Sequence, residues 1–425
     1  SRHAILAYDD IYSLELLNER LRPYWRRERR TLADMLRAAV RDYADLRARS
    51  SQFDEQLVAD LKSVGGPEYA DIAALAYRQT LAAHKLGVTM RGDPVFLSKE
   101  NHSNGSIGTV DVTYPSAPFF LLLNPKLLEA MTQPIFDYAR LPVWKFPYAP
   151  HDLGQYPLAN GQQYGGGETS EARQMPVEES ANMILMTAGI IRAEGDPRFA
   201  EENIDLLSRW ASYLEEKGFD PEEQLSTDDF TGHLAHNTNL SLKAILALAA
   251  YAQICEQVGC GEAAQRYRAT AEGFAKRWPR EADDGDHYRL AFDRPGTWSQ
   301  KYNLVWDRIL GLNLFPGAVA EKEIAYYLQK QNAYGLPLDN RSQFTKLDWI
   351  LWSATLAEDE SDFQAMVSPV WRFLNETPDR SPMTDWYWTQ DARKRGFTAR
   401  SVVGGVYIKM LADPAMWRKW AERAR

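Results

Sequence analysis

The stretch Ser98–Pro115, SKENHSNGSIGTVDVTYP, sets Glu100 and Asp111 eleven positions apart among turn-forming residues. Asn101, Asn104, Gly105 and Gly108 break any helix there. Two acids on a loop with one lysine are equipped for proton transfer or nucleophilic attack, and loops on a rigid scaffold are where such groups sit. As plain structure, Asp111 would cap the next helix and Glu100 would be solvated surface.

Other loops carry the same kind of residue. FPYAPHDLGQYPLANGQQYGGG places His151 beside Asp152 in a chain with only seven histidines, although Pro150, Asp152 and Gly154 also suit a turn. MPVEESANM puts Glu178 and Glu179 in a first helical turn, where acids also favour the macrodipole. LSTDDFTGHLAHNTNLS gathers Asp228, Asp229, His233, His236, Asn237 and Asn239, more than capping needs. The two histidines lack a third ligand at metal spacing, so no catalytic metal is expected. Asp283, Asp284 and Asp286 precede Trp298; Asp284 and Asp286 could hold a structural Ca²⁺, without the EF-hand pattern. LPLDNR adds Asp339 and Arg341, and MTDWYWTQDARKRGFTARSVVGG adds Asp385, Trp386, Trp388 and Arg400. Carboxylates, amides, aromatics and an arginine suit hydrolysis of a polar, hydroxylated or amino-acid-like substrate. Paired carboxylates do this when their surroundings separate their pKa values. No Ser triad or loop Cys supports acyl-enzyme chemistry. Ser1 as an N-terminal nucleophile is a variant reading.

The elements that must position these residues are helical. Apolar residues recur at three- and four-residue spacing from Ile11 to about Arg49 and over 52–64, 68–86, 118–139, 176–194, 200–217 and 237–257. They recur again over 260–278, 302–312, 317–330, 346–357, 361–376 and 400–412. TVDVTY alternates like a strand, and HYRLAF (287–292) reads as a short one. Short polar connections alternate with long ones at 91–117, 142–175, 219–236, 281–301, 333–345 and 377–399. Loops beyond ~12–15 residues in a compact domain are usually functional. Six helical hairpins in a ring, an all-α (α/α)6 barrel spanning 1–425 as one domain, would collect every long loop at one rim.

Composition narrows the partners. With a net charge of −9 and interspersed signs, the chain offers no basic face for nucleic acid. Its 13 Trp and 21 Tyr are ample for packing and for walling a pocket. No run of 18 apolar residues is found, so no membrane-spanning helix is expected. Cys255 and Cys260 are read as free thiols, with a local disulfide as the alternative.

LAYDD, the Ser98–Pro115 stretch, PHDLGQYPLANGQ, MPVEESANM, TDDFTGHLAHNTNLSLKAI, DGDHYRLAFDRPGTWSQKYNLVWD, YGLPLDNR, TKLDW and ARSVVGGVY together resemble the glutaminase A family of fungi and bacteria along nearly the whole chain. The resemblance implies a six-hairpin glycosidase-like fold and hydrolysis of L-glutamine to L-glutamate and ammonia. It also implies an extracellular or periplasmic setting and a β-rich domain, absent from this chain, that would dock on an apolar or aromatic patch. More distantly, Glu100 with DVTY, and the PHD pair, are similar to retaining β-glucosidases of the bile-acid glucosylceramidase type. On that likeness Glu100 is the nucleophile and Asp228 or Asp229 the acid/base. Asp111, His151, Asp152, Glu179, His236, Asn237, Trp298, Asp385, Trp386 and Arg400 are then the expected substrate-binding set. A non-catalytic binding module is the remaining alternative.

Overall fold

In the computed structural model, which describes residues 4–424, strands β1 (Leu14–Leu16) and β2 (Glu19–Pro23) open the chain. Next come α1 (Leu32–Ala82), β3 (His84–Val88), β4 (Pro94–Ser98), α2 (Val110–Leu123), α3 (Pro125–Ala139) and β5 (Leu158–Ala159). They are followed by α4 (Pro176–Glu194), α5 (Arg198–Lys217), α6 (Thr238–Val258), α7 (Gly261–Glu281), α8 (Val305–Leu310) and α9 (Gly317–Lys330). The last are β6 (Phe344–Lys346), α10 (Leu347–Ala354), α11 (Glu360–Glu376), β7 (Thr384–Trp388), β8 (Lys394–Thr398), α12 (Ile408–Leu411) and α13 (Pro414–Ala421).

The helices form two concentric rings. The inner ring runs α2, α4, α6, the 3-10 turn Tyr302–Leu304 with α8, then α10, then the 3-10 turn Ser401–Tyr407 with α12. That last piece packs back on α2 and closes the circle. Helices α3, α5, α7, α9 and α11 lie outside, each following its inner partner in sequence, and α1 is the sixth outer helix, packed on Ser401–Tyr407 and α11. This is the expected arrangement of six hairpins. Outer helices show one apolar stripe: α5 buries Phe199, Ala200, Asn203, Leu206, Leu207, Trp210, Ala211 and Leu214. Inner helices have no polar face to spare, and α2 is buried at every residue from Val110 to Leu122.

That burial explains one departure from the sequence reading. TVDVTY is not a strand but the start of α2, because a helix buried on all sides carries no helical stripe for periodicity to reveal. HYRLAF makes only single bridges, Asp283 with Tyr288 and Asn237 with Ala291. The helix expected from Ile11 begins only at Leu32, where Thr31 and Asp34 form a capping box. Before it, the chain enters a five-stranded sheet in the order β4-β3-β2-β1-β5, with β1 antiparallel to β2 and parallel to β5. Helix α1 breaks at Gly65-Gly66, where Gly66 takes φ 79°, and Pro67 starts its second half.

No residue of α1 before Leu57 is buried. Large apolar side chains stand exposed there at Val40, Tyr43 and Leu46, and in the preceding chain at Leu6 and Tyr8, both 83% exposed. By length and composition α6 could cross a membrane, contrary to the sequence expectation; it lies inside the inner ring, nearly all buried. Both cysteines are free thiols, bracketing the left-handed Gly259 that ends α6.

Candidate active site

The long loops all precede inner helices, so they meet at the N-terminal ends of that ring. A cavity with an empty volume of about 440 Å³ opens there. Glu100, Asp111, His151, Tyr164, Thr227, Asp229, Lys346, Phe397 and Arg400 are among its lining residues. Helix N-termini turn their partial positive charge toward it, a favourable setting for anionic groups.

Glu100 is carried by the turn after β4. Lys99 bridges Ile107, and the Glu100 amide donates to the Ser106 carbonyl at 2.9 Å. Gly105 and Gly108 take φ 81° and 61°, which lets the loop fold on itself. The neighbouring Asn101 side chain donates to the Ala399 carbonyl at 2.8 Å, tying this loop to the one bearing Arg400. Burial pushes the Glu100 carboxyl up to about 7; Arg400 opposes the rise, and Asp111 adds to it.

His151 and Asp152 occupy a loop built around Asp152. That fully buried carboxylate accepts from the Gly154 amide at 2.8 Å, the Gln163 amide at 3.0 Å, the Tyr164 amide at 3.1 Å and His151 Nδ1 at 2.9 Å. Gly154, at φ 137°, would bring a Cβ to 2.3 Å from the Leu158 carbonyl oxygen. The other ring nitrogen, Nε2, faces Asp111 Oδ1 at 3.5 Å. Burial works against protonating this imidazole, yet the charge of Asp111, with side-chain interactions from Asp111 and Asp152, holds its pKa well above the usual value. Glu179, fully buried in the first turn of α4, is raised well above the carboxylate range by burial and by Asp111. Asp111, His151 and Glu179 offer ligating atoms that all lie within 4.8 Å of one another.

The two adjacent aspartates part company. Asp229 lines the cavity and accepts from the Tyr164 hydroxyl at 2.6 Å; burial and Asp111 raise its pKa. Asp228 does not line the cavity. Its oxygens accept from the Tyr302 hydroxyl at 2.9 Å and Trp349 Nε1 at 3.1 Å, two rings stacked at 4.0 Å in the inner ring. Burial lifts it to about 7. Asp228 is therefore placed to brace the wall, with Asp229 facing the cavity.

Asp385 lies in β7, and Arg400 follows β8. Arg400 Nη2 donates to Asp385 Oδ2 at 2.7 Å and Nε to Oδ1 at 3.3 Å, while Nη1 stands 3.6 Å from Glu100 Oε1. Lys346, from β6, reaches Asp385 at 2.9 Å and Asp348 at 3.3 Å. Burial opposes ionisation of Asp385, but Arg400 and Lys346 hold its pKa below the usual value.

The remaining expected residues lie elsewhere. His236 pairs with Asp220 at 2.7 Å on the surface, and Asn237 caps α6. Trp298 is not a cavity wall; it packs on Tyr326 and Tyr327. Trp386 stands one layer back, against Phe397 and Phe230. Of the two aspartates read as a Ca²⁺ candidate, Asp284 accepts from Arg289 and the Gly296 amide, and Asp286 pairs with His287. Ser1 lies outside the described residues. Tyr164 and Lys346 enter the site without having been singled out, although Tyr164 interrupts a glycine-rich loop and Lys346 sits within TKLDW.

Solved structures with this double ring include a glycosidase (TM-score 0.59, 11% identity, covering 81% of this chain and 97% of that one). A Streptococcus pneumoniae structure from a family of metal-independent alpha mannosidases aligns with TM-score 0.57 at 10% identity over 88% of this chain and 98% of that one. The fold is thus six-hairpin glycosidase-like. The family model described as the glutaminase A six helical-hairpin domain matches residues 66–410, and one described as a domain of unknown function matches residues 1–60. The chain belongs to the glutaminase A six-hairpin family. Glutaminase A of Aspergillus oryzae (strain ATCC 42149 / RIB 40) is 36% identical over 379 residues, 87% of this chain and 54% of that protein. A probable glutaminase of Arthroderma benhamiae (strain ATCC MYA-4681 / CBS 112371) is 27% identical over 93% of this chain and 55% of its own length. The chain therefore spans about half the length of these relatives. Both relatives are named glutaminases, and the solved structures, at 10–11% identity, show the fold.

Proposed function

We propose that the cavity hydrolyses the side-chain amide of L-glutamine. The observation that carries this is a cavity-facing pair of carboxyl groups, Glu100 and Asp229, both with raised pKa values, beside the fixed cation Arg400. Glu100, lifted to about 7, accepts a proton once ionised, and the raised pKa of Asp229 favours its protonated form, the one that can donate. Water attacks the amide carbon, and ionised Glu100 takes its proton. Protonated Asp229 gives its proton to the departing nitrogen, so ammonia leaves and L-glutamate remains. Arg400 Nη1, the guanidinium nitrogen not bound to Asp385, is placed to meet the substrate α-carboxylate. The names of the relatives support the choice of glutamine.

A second reading rests on the same two carboxyls. Asp229, held by Tyr164, would protonate a glycosidic oxygen, and Glu100 would attack the anomeric carbon to form a glycosyl-enzyme that water then opens. The test is ammonia release from L-glutamine against chromophore release from a panel of aryl glycosides, with Glu100→Gln as the control in both. Ammonia production abolished in the variant supports the amidase reading. Silence with glutamine beside turnover of a glycoside transfers the site to the second reading; unchanged activity in the variant removes Glu100 from either mechanism.

A further inference from the structure

We propose that Asp111, His151 and Glu179 form a three-ligand site for a divalent transition-metal ion at the wall of this cavity, with Zn²⁺ as the best-matched ion. The inference does not rest on the amidase reading, because it concerns binding.

Four observations carry it. First, the ligating atoms of the three residues lie within 4.8 Å of one another, and all three side chains are buried. Second, His151 Nδ1 is engaged by the Asp152 carboxylate at 2.9 Å. That carboxylate is itself locked by three backbone amides. A metal-binding imidazole almost always gives its other nitrogen to such a partner, which fixes the tautomer and the ring plane. Third, the nitrogen left over, Nε2, is 3.5 Å from Asp111 Oδ1. A charge-assisted hydrogen bond would draw the two to ~2.7–2.9 Å. Two ligands at ~2.0–2.1 Å from a tetrahedral Zn²⁺ stand ~3.4 Å apart, much closer to the observed spacing. Fourth, Glu179 is fully buried, and Oε1 has no hydrogen-bond partner while Oε2 accepts from Asn182 at 3.0 Å. A carboxylate oxygen left bare in the interior costs free energy unless something binds it. A cation held also by Asp111 and His151 would do so.

The chemistry of the donors selects the ion. One imidazole nitrogen and two carboxylates favour a borderline metal over Ca²⁺ or Mg²⁺, which take oxygen ligands throughout. Three protein ligands leave a coordination position open, the pattern of sites that bind water or substrate rather than only brace a fold. Asp111 and His151 line the cavity, so an ion they hold would be reached from it. The sequence shows none of this: the ligands come from the first turn of α2, the loop before β5 and the first turn of α4, with no metal-motif spacing between them.

The test uses the whole chain, stripped with a chelator and dialysed, then titrated with ZnCl₂ by calorimetry and with CoCl₂ by visible absorption. One ion per chain is expected, with the strong d–d bands of a low-symmetry Co²⁺ site. Glu179→Gln and Asp111→Asn should each weaken binding at least about 10-fold, and Asp152→Asn about 10- to 100-fold. His236→Ala should leave it unchanged. Circular dichroism identifies any variant that fails to fold, and the other ligand variant then decides. No binding to wild type at 100-fold molar excess of Zn²⁺ overturns the site. So does one ion that survives in folded Glu179→Gln and Asp111→Asn proteins, which would place it elsewhere. Glutaminase activity plays no part in these outcomes.

Discussion

Asp385→Asn isolates the electrostatics that hold the site together. The Asp385 side chain is fully buried and contacts two cations, Arg400 at 2.7 Å and Lys346 at 2.9 Å. The substitution keeps the shape and removes the charge, leaving both cations short of a counter-ion in the interior. Breaking a buried pair in this way costs about 3–5 kcal/mol, roughly 10²- to 10⁴-fold in the folding equilibrium. That is a large share of the ~5–15 kcal/mol that holds a typical domain. Urea denaturation at pH 7 should register the loss in the midpoint. The pH dependence gives a second signature. Asp385 has its folded pKa below its unfolded value, so its contribution is fully present above the unfolded pKa, about 3.8, and fades as pH falls through the folded one. The gap between wild type and variant should therefore narrow below about pH 4. Lys346→Met on top of Asp385→Asn should recover part of the loss, because it removes one stranded cation. A loss under about 1 kcal/mol at pH 7, or a gap that does not change between pH 7 and pH 3, would refute the reasoning.

Glutamine hydrolysis should rise with pH through about 7, since burial lifts Glu100 to that value and only its ionised form accepts a proton. Replacing Arg400 by Met removes the cation that favours the ionised form, so the residual activity of Arg400→Met should rise at higher pH; an unmoved profile in a pH–rate series would dismiss Glu100 as the titrating base. Gly154→Ala should destabilise the chain by about 1–3 kcal/mol in urea denaturation, through strain at φ 137° and the clash with Leu158, and should disturb the His151 loop. With a thiol reagent, denatured protein should react at two sites at once. Native protein should react quickly only at Cys260, because the Cys255 thiol is buried and pushed up to about 11.

The architecture was legible because outer helices announce themselves by stripe and cap, and because long loops alternate with short ones. Inner helices are harder to see. α2 shows no helical stripe, and its opening residues imitate a strand, since every side is buried. Glu100, Asp111, His151, Asp229 and Arg400 could be proposed as partners because each sits in or beside a long loop and because of the likeness to retaining β-glucosidases; their convergence comes from ring closure, which no local pattern encodes. The separation of Asp228 from Asp229 was beyond the sequence, as it depends on which carboxyl meets Tyr302 and Trp349 across the barrel. His236, Asn237 and Trp298 have the composition of site residues but serve an ion pair, a cap and a packing layer. Residue type alone does not distinguish such roles.

The ring closes where the beginning of the chain meets its end: α1 and α2 pack on Ser401–Tyr407, and Arg400 Nη1 meets Glu100 across that junction. Asp385 and Arg400 are 15 positions apart on one hairpin and can find each other early; Glu100 and Arg400 are separated by 300 positions and meet only when the last hairpin docks on the first. The proposed catalytic centre is thus a seam. A refolding chain can gain most of its helix and bury its tryptophans while still inactive. Recovery of turnover then times the final docking step, and a break anywhere in the ring that holds the two chain ends apart silences the site without touching a residue in it.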